Sequence, residues 1–260
     1  MYTKQALKNA ISEMGIQSTD TLLIHSSMRS IGAVEGGADT VLDVFMEYLA
    51  DGLLILPTHT WANMNEVHNV YNPAKEPSCV GLLTNLFRKR EGVYRSLHPT
   101  HSLAAFGKDS IDFLKGEDRI TTPCSPDGCY NRLRERNAKI LLLGVNHSRN
   151  TYLHCVEEIL QVPDRFTPSP VQFQIVMPDG SLKTSHVYRH YNPKTAHISL
   201  SYNKLQQAFY DIKAAKQVKF GDALSILCDA NKLFETTKQI LSHNLNSIIE
   251  LEQIPSDWWK

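Results

Sequence analysis

No stretch of this sequence is long and apolar enough to cross a bilayer as a helix. The longest apolar runs, Gly52–Pro57 and Ile140–Val145, fall far short of the ~20 residues a spanning helix needs, and Met1–Thr21 is polar with no apolar signal core. A soluble cytoplasmic protein is expected. The chain also lacks a charge excess. Its 27 basic residues balance 27 acidic ones, so no overall field draws it toward nucleic acid or an anionic membrane surface. No C-x-x-C pair occurs, and the five cysteines (Cys79, Cys124, Cys129, Cys155, Cys228) form an odd set that suits reduced thiols. Cys124 and Cys129, even with nearby histidines, lack the spacing of a zinc knuckle, so no metal is expected. Repeats, low-complexity segments and clear linkers are missing too. With 260 residues available to bury a core, one domain spanning 1–260 is the expectation.

Thr3–Met14 has helical spacing and stops at Gly15. Thr21–Ile24, Leu53–Leu56 and Ile140–Leu143 are short, continuously apolar runs bounded by turn residues, which is how strands buried on both faces read. Amphipathic helices are expected at Ala38–Ala50 and Gly81–Arg90, followed by a strand at Leu103–Phe106. Near the end, Ala223–Cys228 reads as a strand and Ala230–Ser242 as a helix. Alternating strands and helices argue for a three-layer α/β fold, a mostly parallel central sheet with helices on both faces. Two long stretches, Thr58–Ser78 and Val162–Leu200, are rich in Pro, Asn and His and show only a possible hairpin around Met177–Gly180. Loops this long in a compact domain are usually functional.

Each central strand runs into polar residues: His25–Ser26–Ser27, Thr58–His59–Thr60 and Asn146–His147–Ser148. In open α/β sheets ligands bind at the carboxyl ends of strands, so these loops should share one crevice. Asn150 reads as the N-cap of a helix that carries Thr151, His154 and Glu157 three apart. At that spacing Glu157 reaches His154 from the next turn, and a carboxylate on one ring nitrogen makes the other a better base; the same spacing also describes an ordinary surface pair. Cys155 points about 100° away from His154 and reads as core. His25 before Ser26–Ser27 hints at a serine hydrolase, but no G-x-S-x-G elbow exists. A metal-dependent hydrolase built on His98 and His101 lacks an H-E-x-x-H or equivalent partner.

Taken in order, "LIHSSMRSIG", "EGGADTVLDVF", "ILPTHTW", "HPTHSLAAFG", "SPDG", "ILLLGVNHSRNTYLHCVEE" and "FGDALSILCDANKLF" resemble the aminoglycoside 3-N-acetyltransferase family over about four fifths of the chain. The resemblance implies acetyl-CoA as co-substrate and direct transfer of acetyl to an amine of an aminoglycoside antibiotic, with antibiotic resistance as the consequence. It implies that His25, Ser26, Ser27, Met28, Ser30 and Ile31 cradle the coenzyme, with Ser102 adding a contact. The family's T-x-x-H-x-x-E pattern falls on Thr151, His154 and Glu157. His154 then acts as general base, Glu157 orients it and Thr151 positions or stabilises the tetrahedral intermediate. Thr58, Trp61, Glu66 and Asp164 are the candidate acceptor contacts, with Glu158 a further source of negative charge. The stretch from Arg165 to Leu200 departs from what polycationic acceptors need, because it carries Arg165, Lys183, His186, Arg189, His190, Lys194 and His197. An acyltransferase for a different small amine, or a non-catalytic CoA-binding module, are the alternatives; monomer and homodimer both stay open.

Overall fold

Runs that are apolar at every position become the middle of a sheet. The computed structural model describes all 260 residues. Its strands are β1 (Thr21–Ser26), β2 (Leu53–Pro57), β3 (Val70–Tyr71), β4 (Tyr94–Arg95) and β5 (Leu103–Gly107), then β6 (Lys139–Leu143), β7 (Val171–Val176), β8 (Leu182–Val187), β9 (Ala215–Phe220) and β10 (Ala223–Asp229). The helices are α1 (Lys4–Glu13), α2 (Gly37–Tyr48), α3 (Leu82–Phe87), α4 (Ser110–Leu114), α5 (Cys129–Glu135), α6 (Tyr152–Ile159), α7 (Gln206–Asp211), α8 (Ala230–His243) and α9 (Ser247–Glu250). No helix is long and apolar enough to cross a membrane.

Seven strands form one sheet in the order β4-β5-β2-β1-β6-β10-β9. Side chains alternate across it, as a strand's two-residue period requires. Leu23, Ile55, Ile140 and Leu142 enter one core with α5, α6, α7 and α8. Leu22, Ile24, Leu54, Leu141 and Leu143 enter the other with α1, α2 and α3. That is the expected three-layer α/β arrangement. The expectation of a mostly parallel sheet is corrected, because only β1–β2 and β1–β6 are parallel. The four outer pairings are antiparallel. Parallel neighbours need a long crossover, which α2 supplies between β1 and β2. β9 and β10 are joined only by the turn at Gly221–Asp222, too short for a crossover.

The Val162–Leu200 stretch is not one long loop. It contains the β7–β8 hairpin, closed by a Gly180 N–H to Met177 carbonyl bond at the anticipated turn. With β3 alongside β7, the hairpin makes a three-stranded sheet over its own small core of Met64, Tyr71, Phe173, Ile175 and Val187.

Candidate active site

Parallel β1, β2 and β6 deliver their carboxyl ends to one edge, with Ser26 opposite Leu143. β5 runs the other way and places its start, Leu103, beside Pro57, so Thr100 and His101 arrive at the same edge. At the end of β6, Gly144 has φ 65°, and a Cβ there would lie 2.5 Å from that of Ser30. Only glycine lets the chain turn that tightly against the serine loop. The edge opens into a crevice of about 1170 Å³. That exceeds the usual range for one small ligand, up to roughly 1,000 Å³.

His25, Ser26, Ser27 and Met28 line one wall of this crevice, Thr151 and His154 another, and Trp61 a third. The structure thus gathers seven of the residues singled out from sequence. Others it places elsewhere. Ser30 binds back onto Ser27 and the Gly144 carbonyl. Ile31 is fully buried in the core beneath α2. Thr58 and Ser102 are also fully buried; they bond each other and Arg95 behind the crevice wall. Glu66 is exposed on a loop outside the crevice. Asp164 borders a separate small cavity with Asn192, Lys194 and Glu250. None of these four last residues reaches the crevice as an acceptor contact or a cofactor contact would.

The N-cap of α6 is Thr151, not Asn150. Asn150 is buried and turns its amide toward His147 instead, 3.3 Å away. One residue further on, the spacing does what helical geometry demands and brings His154 Nδ1 within 3.6 Å of Glu157 Oε2. That is too long for a hydrogen bond. Between them stands Tyr202, which bonds His154 Nδ1 at 2.6 Å and donates to Glu157 Oε2 at 2.5 Å. The second carboxylate oxygen, Oε1, accepts from Arg165 Nε at 2.8 Å.

Protonation follows from counting donors. Glu157 is 1% exposed, and burial alone would raise its pKa; the His154 ring, the Arg165 guanidinium and the Tyr202 hydroxyl outweigh burial and hold it below the ordinary carboxylate value. An ionised carboxylate only accepts, so the single Tyr202 proton goes to Glu157. Toward His154 the hydroxyl can then only accept. His154 therefore carries its proton on Nδ1 and keeps the Nε2 lone pair free, and Nε2 bonds no protein atom. Burial lowers the His154 pKa, with Glu157 pulling the other way, so the ring is neutral at pH 7. A neutral imidazole with a free nitrogen on a crevice wall is equipped to accept a proton.

His154 is not alone. His190 packs edge-on against it with ring centroids 3.8 Å apart, His101 stacks on His190 at 5.0 Å, and His59 lies 4.8 Å from His101. Burial and mutual repulsion hold His59, His101 and His190 well below the usual imidazole pKa, and burial pushes His25 down to about 3. His190 Nε2 is buried without a hydrogen-bond partner, 3.7 Å from Glu158 Oε1. With Cys124 Sγ these atoms form a group within 4.8 Å of one another, a donor set that zinc uses. Both Glu158 oxygens are already bonded, one by the Thr122 hydroxyl and one by the Cys124 N–H. All five cysteines are free thiols.

Tyr202, Arg165 and His190 are the functional side chains that sequence reasoning missed. In the sequence Arg165 and His190 stand out only as members of a basic stretch, whereas the fold buries Arg165 against Glu157 and brings the partly buried His190 up to Glu158.

Comparison with known proteins identifies the company the fold keeps. A family model described as aminoglycoside 3-N-acetyltransferase matches residues 23–242. Aminoglycoside N(3)-acetyltransferase III from a Salmonella species is 28% identical over 211 residues, 72% of each chain. Among solved structures, a histidine-to-alanine mutant of aminoglycoside acetyltransferase AAC(3)-IVa in complex with a gentamicin superposes with a TM-score of 0.79. It is 24% identical and covers 94% of this chain and 89% of that one. AAC-IIIb, solved as a binary complex with CoASH, gives 0.81 at 18% identity over 93% of this chain and 97% of that one. At such identities the structural likeness establishes the fold.

Proposed function

The chain belongs to the aminoglycoside 3-N-acetyltransferase family, and from that membership together with the crevice we propose that it transfers acetyl from acetyl-CoA to an amine of a small acceptor, the 3-N position of an aminoglycoside being the family's own. The whole chain serves as one acetyltransferase domain, since the segment that leaves β8 brings Arg189 and His190 to the crevice at the edge of the seven-stranded sheet. A cytoplasmic location accompanies this reading, because acetyl-CoA is made and used there.

The observation that carries the proposal is the His154 ring on the crevice wall, with Nδ1 fixed by Tyr202 and Tyr202 fixed by Glu157. A crevice of about 1170 Å³ has room for two reactants. Ser26, Ser27 and Met28 offer small hydroxyl and apolar surface for a coenzyme arm, and Arg29 and Arg149, both on the lining and neither in an ion pair, suit its phosphates. When bound, acetyl-CoA supplies the activated acyl group. The protein's part is the proton. His154 Nε2 accepts it from the attacking amine, the imidazolium is steadied through Tyr202 by the Glu157 charge, and the same proton is available to the departing thiol. Thr151, on the crevice wall one turn before His154, would hold the reacting carbonyl. No acyl-enzyme is required.

Replacement of His154 by alanine should lower kcat by about 10²–10⁴-fold, the usual contribution of general-base catalysis, with KM for acetyl-CoA little changed. Release of free CoA thiol in the presence of aminoglycosides and simple amines measures this, and wild-type turnover by the variant would remove the assignment.

A further inference from the structure

The aminoglycosides bound by the related enzymes are polycations, yet no Asp or Glu is among the residues lining this crevice. Three arginines are: Arg29, Arg149 and Arg189. None of the three takes part in an ion pair, in contrast to Arg90, which pairs with Asp39 and Asp43, and Arg165, which pairs with Glu157. The two carboxylates nearest the base are already committed. Glu157 is taken up by Arg165 and Tyr202, and Glu158 by Thr122 and Cys124. The remaining candidates, Glu66 and Asp164, lie off the crevice.

Arg29 and Arg149 sit with the serine loop and the start of α6, where the coenzyme's phosphates account for them. Arg189 does not belong to that group. It precedes His190, the ring in edge contact with His154, and its guanidinium is held by the Trp61 carbonyl at 2.5 Å. Trp61, Arg189 and His190 line the crevice together beside His154 and away from the serine loop's arginine, so an acceptor entering there would meet Arg189 as a positioned cation with unused donors. A guanidinium is built for oxyanions.

We infer a further activity for this crevice: acetylation of small amines that carry an acid group, whose carboxylate or phosphonate oxygens bond Arg189 while the amine faces His154. This rests on acetyl transfer at His154. The amine lone pair forms the amide C–N bond as the thioester C–S bond breaks, and the amine proton passes to His154 and on to the thiol. No further reactant is needed. An acid on the acceptor also offsets the cost of bringing an amine into a crevice whose lining carries arginines and no carboxylate.

The test measures thiol release from acetyl-CoA with β-alanine and 2-aminoethylphosphonate, with the uncharged counterparts β-alaninamide and ethanolamine, and with gentamicin. The expected result is a kcat/KM about tenfold higher for an acid-bearing amine than for its uncharged counterpart, the worth of one charge-assisted hydrogen bond. The carboxylate and phosphonate arms tell which oxyanion is preferred. In Arg189→Gln that preference should fall toward one, and Arg189→Lys should restore part of it. Turnover of gentamicin or the uncharged amines without any preference for the acids overturns the inference and leaves acetyl transfer standing. A preference that survives in Arg189→Gln also overturns it. Thiol release in none of the arms refutes acetyl transfer itself, and this activity with it.

Discussion

Two histidine–glutamate pairs stand side by side at this crevice, their imidazoles on its lining and their carboxylates buried behind it, and their neighbours give them opposite characters. His154 and Glu157 share Tyr202, and Arg165 holds the carboxylate ionised. Glu158, the next residue along α6, faces His190 at 3.7 Å and has no such cation. The Glu158 pKa is pushed up to about 7, chiefly by burial, against the pull of its hydrogen bonds from Thr122 and Cys124. Sequence adjacency of Glu157 and Glu158 would suggest interchangeable acids. The difference lies in what faces each carboxylate, the His154 ring, the Arg165 guanidinium and the Tyr202 hydroxyl for Glu157 against two neutral donors for Glu158: a carboxylate so supported can orient and steady a base, whereas one without a countercharge drifts toward the neutral form.

The largest effect should come from neutralising the first pair. Glu157→Gln keeps the shape but removes the charge that makes Tyr202 an acceptor toward His154, and kcat should drop about 10²-fold. The wild-type pH profile of kcat/KM should show an acid limb on the acidic side of 6.5, since burial lowers the His154 pKa and protonation removes the free lone pair. Moving the acid limb above 6.5 in the wild type, or finding Glu157→Gln fully active, would break the comparison.

A smaller effect, about tenfold on kcat, is expected for Tyr202→Phe, which removes one fixed hydrogen bond near the base. A double-mutant cycle separates positioning from packing. If Tyr202 works only through His154, then Tyr202→Phe costs nothing further in a His154→Ala background. A full tenfold loss in that background means the phenol matters for the fold and not for the base. The tautomer gives an independent readout: 15N spectra of labelled protein should place the His154 proton on Nδ1 in the wild type and on both nitrogens in Tyr202→Phe.

The two walls differ as well in how much of them the sequence displayed. β1, β2 and β6 were legible because strands buried on both faces are written as unbroken apolar runs, and the polar residues after them marked the crevice. The i, i+3 relation of His154 to Glu157 was legible because helical geometry is local. Tyr202 was not: it reaches Glu157 across 45 residues, from a 3-10 segment, Ile198–Leu205, whose position depends on tertiary packing. β9 escaped for a different reason. Lys216 to Lys219 are at least partly exposed and only its end residues are buried, so it shows neither an apolar run nor strict alternation. Thr58 and Ser102, expected at a ligand, bond Arg95 behind the crevice wall, since a Thr and a Ser look alike in sequence whether they face a crevice or accept from a guanidinium.

The smallest effect on turnover belongs to the second pair, and its sign is informative on stability instead. Glu158→Gln should change kcat by less than about threefold, because no step assigned to His154 uses it. A carboxyl raised from 4.5 to about 7 in the folded state stabilises the protein below pH 4.5, and that contribution fades as pH rises toward 7. Glutamine never ionises, so the variant should gain in Tm relative to the wild type between pH 5 and pH 8. The background slope from His25, whose depressed pKa favours the folded state above 6.5 and is lost as pH falls, is common to both proteins and cancels in the difference. A Tm difference that does not move with pH would mean that Glu158 is as ionised as Glu157. Stoichiometric zinc, bound by the wild type and lost in Glu158→Gln, would instead make the second pair a metal site with Cys124, and a flat difference would then follow from the metal holding the carboxylate charged.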